Sequence, residues 1–261
     1  MNKLKTLPYC DLANINEKNM GNYLISLDEI PYYIGEAKEL KNRLKQQFKL
    51  NTSTFYKNYK KLLPIKLLPI DKFKIQFMLT NIGRKEVEEF GIVNLPTKLN
   101  RFQLGKRNKY NIADQDGLWN EVQKNAENLL KEGENEILMS DFRPWFDTKV
   151  VGLAGLYLVK DKLGKLIYIG ESSDIADRIK THSGQTYFSA LRRHIGTDIL
   201  GFHLQEKSGK KRYFNEKEDQ AVTDFLKTCK STIFPVSFGR YELEEYLIKK
   251  YKPLLNRKDN I

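Results

Sequence analysis

Tyr168-Ile169-Gly170-Glu171 repeats Tyr33-Ile34-Gly35-Glu36, and the repetition runs well beyond four residues. An arginine follows each glycine by eight positions, Arg43 in one case and Arg178 in the other. Upstream, Gly21-Asn22-Tyr23 sets a tyrosine twelve residues before Gly35, and Gly155-Leu156-Tyr157 sets one thirteen before Gly170. Downstream, Gly83-Arg84-Lys85-Glu86-Val87-Glu88-Glu89-Phe90 matches Gly239-Arg240-Tyr241-Glu242-Leu243-Glu244-Glu245-Tyr246. Asn100 and Asn256 each stand twelve residues after the aligned Glu88 and Glu244. The blocks keep their order while the lengths between them drift, as two copies of one domain would.

Each copy has the same local reading. Tyr23–Leu27 with Pro31–Ile34, and Leu156–Val159 with Leu166–Ile169, are short apolar runs joined by turn-like Asp28-Glu29 and Asp161–Lys165. Each pair predicts a β-hairpin. A helix should follow, capped in the second copy from Ser172-Ser173-Asp174. The closing block is helical in period: Glu244, Leu247, Ile248 and Tyr251 share one face, as do Glu88, Gly91, Ile92 and Leu95. Between the copies, Leu118, Trp119, Val122, Ala126, Leu129 and Leu130 form one apolar helical stripe, and Trp119 predicts packing on a domain. The fold expectation is α/β (α+β), with copies at 1–112 and 150–261 joined by a helical linker at 113–149.

Composition narrows the class. The 261 residues are 40% hydrophobic and 11% aromatic, enough for a core in each copy and too much for disorder. Lys and Arg exceed Asp and Glu for a formal net charge of +12, with both halves basic, which favours a polyanionic partner. Arg101, Lys106, Arg107 and Lys109 form a basic run flanked by Phe102 and Tyr110, a solvated face or a phosphate contact. Cys10 and Cys229 have no spacing pattern, which argues against a disulfide scaffold or thiolate zinc site and for a reducing, cytoplasmic setting. Met1–Cys10 has no signal-peptide core, and Val150–Val159 is too short to span a bilayer.

The repeated residues carry the chemistry. A carboxylate on an apolar stripe is costly unless a cation or hydrogen bonds compensate; Glu244 and Glu88 either sit solvated at the stripe's edge or hold a partner such as an Arg or a metal. Arg178 and His182 share a helix face, one suited to gripping a phosphate and the other to moving a proton. The first copy has Gln47 in place of His182, and an amide cannot take up a proton. Tyr33 and Tyr168 alone would read as strand packing, Gly155 and Gly170 as sites of close backbone approach. His194 and His203 read as structural or surface residues. Phe55–Lys61, Ser189–His194 and Lys207–Tyr213 mix basic with polar or aromatic residues and are candidate base-reading segments.

The ordered set Gly155-Leu156-Tyr157, Tyr168-Ile169-Gly170, Arg178, His182, Glu244 and Asn256 resembles the GIY-YIG nuclease superfamily over about residues 150–261. The set Gly21-Asn22-Tyr23, Tyr33-Ile34-Gly35, Arg43, Glu88 and Asn100 resembles it over about 18–102, with departures at Asn22 and Gln47. The resemblance implies a three-stranded antiparallel sheet flanked by helices and metal-dependent hydrolysis of a DNA phosphodiester, leaving 5′-phosphate and 3′-hydroxyl ends. It implies that Glu244, and Glu88 in the first copy, ligate one Mg²⁺ or Mn²⁺. By the same resemblance Tyr157 activates water with His182 taking or relaying the proton, and Tyr168 and Arg178 grip the phosphate. Asn256 orients a neighbour or a phosphate. Tyr23, Tyr33, Arg43, Glu88 and Asn100 would be their counterparts in a second centre.

Three readings follow. The leading one is a restriction-type endonuclease cutting double-stranded DNA with two centres in one chain, a monomer acting as a pseudo-dimer, or a homodimer. The second is a structure- or damage-specific repair nuclease with one active copy and one DNA-binding copy, favoured by Gln47. The third is a DNA-binding protein without catalysis.

Overall fold

A computed structural model describes residues 5–8, 15, 19–49, 52–62, 72–95, 97–100, 116–148, 152–207 and 209–257. Cys10 and the basic run of residues 101–109 lie outside them. The chain divides into two compact units, Met1–Ala126 and Glu127–Ile261.

In the N-terminal unit the strands are β1 (Lys5–Pro8), β2 (Gly21–Leu27), β3 (Ile30–Ala37) and β4 (Phe73–Leu79), in the sheet order β1-β4-β2-β3. All neighbours are antiparallel. Asp28 and Glu29 both take positive φ, 48° and 62°, which makes the β2–β3 hairpin a tight primed turn without glycine. Strand alternation sends Tyr23, Ile25 and Ile75 to a core with α1 (Leu40–Gln47) and α2 (Thr54–Leu62), where Leu40, Leu44, Phe55 and Tyr59 are buried. Leu24 and Ile34 face the other way, onto Ile92 of α3 (Arg84–Asn94).

The C-terminal unit repeats this plan with β5 (Arg143–Pro144), β6 (Gly155–Lys160), β7 (Leu166–Ser172) and β10 (Lys230–Pro235), in the order β5-β10-β6-β7. Tyr157, Val159, Ile167 and Tyr168 pack with α6 (Ile175–Ser183), α7 (Ala190–His194) and α8 (Glu216–Lys227). Leu156, Leu158 and Ile169 pack on the opposite face with Leu243, Leu247 and Ile248 of α9 (Arg240–Tyr251). Strands β2 and β6 are therefore covered on both faces, which is why Tyr23–Ile25 and Leu156–Val159 read as apolar runs. Asp174 caps α6 by accepting from the Asp177 N–H at 3.0 Å. A hairpin of β8 (Gln205–Lys207) and β9 (Lys210–Tyr213) follows α7.

Two expectations change. Each unit has the expected three antiparallel strands plus a short fourth at the edge, β1 or β5. Both end in proline, which an edge strand tolerates because one side of its backbone has no ladder to complete. The stretch 113–149, expected to be one linker, holds two helices that fall to different units: α4 (Asp116–Lys124) and α5 (Ala126–Met139). Gln123 of α4 ties to Asn81 and Ile82, accepting from both backbone N–H groups and donating to the Ile82 carbonyl. In α5, Gly133 lies against Leu243, and Ile137 is fully buried beside Leu247. The expected single stripe is interrupted, and Leu118 and Leu129 are exposed. At the end of α9, Tyr251 turns outward to bond Glu134. No helix among the described residues is long and apolar enough to cross a membrane.

Candidate active site

Glycines make room for the C-terminal site. Tyr157 on β6 lies opposite Gly170 on β7. A Cβ on Gly170 would sit 2.3 Å from the Tyr157 hydroxyl oxygen, so only glycine lets the phenol lie over its neighbouring strand. At Gly155 a Cβ would meet the Phe234 carbonyl at 2.3 Å, the close approach of β10. The Tyr157 hydroxyl then reaches α6, 2.7 Å from His182 Nε2. His182 is fully buried, and its Nδ1 lies 2.7 Å from Ser189 Oγ. Ser189 in turn caps α7 by accepting from the Arg192 N–H at 3.0 Å.

Burial, reinforced by the charges of Arg178, Arg192 and Arg193, holds the His182 pKa well below the usual histidine value. The imidazole is neutral at pH 7 and open to a proton on one nitrogen. Burial also raises Tyr157 well above an ordinary phenol, as does neighbouring Tyr168, while the Arg178 guanidinium pulls it back. Tyr168 is raised by burial and by the Glu244 charge, and again lowered by Arg178. Both phenols therefore carry their protons at neutral pH. Arg178, half-buried one helical turn before His182, serves both hydroxyls.

Glu244 enters from α9, half-buried, its Oε1 accepting from the Glu171 N–H at 3.0 Å. The Glu171 carboxylate accepts from buried Arg240 Nε at 3.1 Å. This fixes the Glu244 carboxylate, a hard oxygen donor, against the end of β7. Among the described residues there is no group of three or more His, Cys, Asp or Glu able to hold a metal. A single carboxylate fits Mg²⁺ or Mn²⁺, which keep several waters and take substrate phosphate oxygens as further ligands. It does not make a cage that binds a metal without substrate.

Asn256 works elsewhere. Its Oδ1 accepts from the Ile169 N–H at 2.9 Å and its Nδ2 donates to the Ile169 carbonyl at 2.7 Å. This clamps β7 between Tyr168 and Gly170, the neighbour-orienting arrangement.

Residues 155–261 match the family model described as the GIY-YIG catalytic domain. That stretch is a GIY-YIG catalytic domain. The protein is accordingly an endonuclease, a phosphodiester hydrolase, with DNA as its substrate class. A comparison with curated proteins found no match.

The N-terminal unit assembles the corresponding residues on the same scaffold. Tyr23 lies opposite Gly35, where a Cβ would sit 2.4 Å from the phenol oxygen. The Tyr23 and Tyr33 rings are 6.2 Å apart, against 6.0 Å for Tyr157 and Tyr168 in the GIY-YIG domain. Asn100 clamps Ile34 as Asn256 clamps Ile169, accepting at 2.8 Å and donating at 3.1 Å. Arg43 is exposed on α1, and its charge lowers both phenols against the rise from burial.

Two details differ. Gln47 is buried and donates from Nε2 to the Tyr23 oxygen at 2.6 Å. Its Oε1 accepts from Ser53 Oγ at 3.3 Å and from the Phe55 N–H at 3.4 Å, and that backbone donor settles which way the amide faces. Glu88 is buried and ion-paired with Lys85, whose side chain is only 14% exposed. The GIY-YIG domain has Tyr241 at the position of Lys85.

The candidate base-reading segments are mainly structural. Phe55 and Tyr59 are core residues, leaving only a basic outer face with Lys57 and Lys60. In 189–194, Ser189, Leu191 and Arg192 are buried, and Arg192 pairs with Asp219 at 3.1 Å. Those positions are spent on packing around His182. Of the third segment, Lys210 and Arg212 are exposed beside the Tyr187 ring. His194 bonds the Leu255 carbonyl, and His203 is exposed. The sequence alone gives no role to Glu171, Arg240 or Lys85, and puts Ser189 only in a candidate base-reading segment. Glu171, Arg240 and Lys85 all lie inside the repeated blocks, and for the first two the repetition itself is the signal.

Proposed function

We propose that the GIY-YIG domain hydrolyses DNA phosphodiesters with one divalent ion, Mg²⁺ or Mn²⁺, held by Glu244. Such an ion supplies positive charge that polarises the phosphate and stabilises the departing oxygen. The Arg178 guanidinium grips the scissile phosphate in its planar fork, and the protonated Tyr168 hydroxyl donates to a non-bridging oxygen. The attacking water gives a proton to the Tyr157 oxygen as Tyr157 passes its own to His182 Nε2. The water oxygen bonds to phosphorus, the bond to the leaving oxygen breaks, and that oxygen takes a proton from solvent. Phosphate bound at Arg178 offsets one of the charges that depress His182, so the imidazole becomes more basic when substrate is in place.

The observation that carries this reading is the continuous contact from Tyr157 through His182 to Ser189, two bonds of 2.7 Å each. It supplies a proton path beside a carboxylate and a guanidinium, the parts a metal-assisted hydrolysis requires. The test is incubation of plasmid with Mg²⁺, Mn²⁺ or EDTA. Cutting with either metal and none in EDTA is expected; cutting in EDTA would overturn the metal role.

A second reading, two cutting centres in one chain, is favoured by the N-terminal unit retaining Tyr23, Tyr33, Arg43, Glu88 and Asn100. Gln47 and Lys85 stand against it. We therefore propose a restriction-type cut of duplex DNA in which two chains each supply one GIY-YIG centre. The rate of linearisation should then rise with the square of protein concentration, with nicked circles preceding linear product.

A further inference from the structure

In the GIY-YIG domain the helix position three residues before the carboxylate is Tyr241, a neutral phenol; in the N-terminal unit it is Lys85. Residues three apart share a helix face, and Lys85 uses that position to place its ammonium on Glu88. Both side chains are largely withdrawn from water, 14% and 9% exposed. A divalent ion at Glu88 would have to displace a buried cation or sit beside it. The residues of this unit therefore do not fit the metal that the resemblance implied.

The other half of the site points the same way. Gln47 is fixed with its N–H toward Tyr23 by the Phe55 backbone donor, so the Tyr23 oxygen accepts and cannot hand its proton to Gln47. Tyr23 and Tyr33 keep their protons, because burial raises both. Arg43 adds a guanidinium beside both phenols. Arg43, Lys85 and Glu88 leave a single net positive charge, while Arg178, Tyr241 and Glu244 leave none until a cation is added. Donors with a net positive charge and no proton acceptor suit an anionic phosphodiester that is to be held and not cut.

We propose that the N-terminal unit is a metal-independent DNA phosphate-binding site, in which the Lys85 ammonium takes the place that a divalent ion has in the cutting domain. This rests on the reading of Glu244 as a metal ligand. Its test uses the full chain carrying Glu244→Gln and a short fluorescent duplex, with binding followed by anisotropy.

In EDTA this chain should still bind, and added Mn²⁺ should change its affinity by less than about twofold. Adding Lys85→Gln should weaken binding about tenfold and lower the salt slope by about 0.9, one phosphate contact. Lys85→Arg should keep both affinity and slope, and thermal melts of each variant show whether the unit is folded. An unchanged affinity and slope in folded Lys85→Gln would overturn the proposal. So would a Mn²⁺-dependent gain in the Glu244→Gln chain that Glu88→Gln removes, since the metal would then sit on Glu88. Failure of the wild type to cut with metal would count against the nuclease reading alone, because the binding arms are read without cleavage.

Discussion

The two units set a tyrosine across from a glycine, a second tyrosine about 6 Å from it, and an asparagine clamp on the strand between, with nearly equal distances. They part at two side chains. His182 faces Tyr157 where Gln47 faces Tyr23, and Tyr241 precedes Glu244 where Lys85 precedes Glu88. The scaffold thus fixes where phenols, guanidinium and carboxylate stand. We infer that the proton acceptor at Tyr157 and the Lys85 cation on Glu88 set the chemistry of the two units apart. Shared geometry is evidence of a shared fold, not of shared chemistry.

The largest effect should come from the proton path. His182→Ala leaves Tyr157 without its acceptor and should lower cutting by about 10²–10⁴-fold, the usual worth of general acid–base catalysis. Gln47→Ala should leave cutting within about threefold. Plasmid nicking rates in Mg²⁺ compare them, and an equal loss in both would break the contrast.

The scaffold predictions run the other way, with both units expected to suffer alike. Asn256→Ala orphans the Ile169 N–H and carbonyl, and Asn100→Ala does the same at Ile34. Each should cost about 2–6 kcal/mol, from about 1–3 kcal/mol per stranded group. Gly170→Ala and Gly35→Ala each drive a methyl into a buried phenol and should cost about 1–3 kcal/mol. Urea unfolding of all four variants checks this, and a cost confined to one unit would show that the clamps are not equivalent.

The smallest effect is in pH. The folded-state pKa of His182 lies below the unfolded value near 6.5. Its neutral form therefore contributes stability that is complete above about pH 6.5 and is lost as pH falls towards the folded pKa, at up to about 1.4 kcal/mol per pH unit. His194, lowered mainly by burial, adds a loss in the same direction. The readout is thus the difference between wild type and His182→Gln, which reproduces the N-terminal arrangement. The variant should lose less stability between pH 6.5 and 5, and identical pH profiles would contradict the burial of a neutral imidazole.

Much of this was legible in the sequence, for a physical reason. Glycines that admit a phenol, the arginine on the following helix and the asparagine at the end are contacts between elements of fixed spacing, so they recur in both units as countable offsets. The edge strands β1 and β5 were not legible, because four residues and two residues carry no periodicity. The interruption between α4 and α5 was hidden because the apolar spacing continues across Asn125 while the packing partners change. Ser189 was placed in a base-reading segment because a cap that also supports a buried histidine looks like any polar loop residue. Lys85 stood in plain view within a repeated block, but its charge matters only once it is seen resting on Glu88.

The most direct test of the contrast is supercoiled plasmid cut by two single variants under one set of conditions. Glu244→Gln removes the carboxylate assigned to the metal, and Glu88→Gln removes one already neutralised by Lys85. Glu244→Gln should abolish both nicking and linearisation, and Glu88→Gln should still linearise the plasmid near the wild-type rate. If Glu88→Gln instead stalls at nicked circles, and Glu244→Gln still nicks, the N-terminal unit is a cutting centre and the account is wrong.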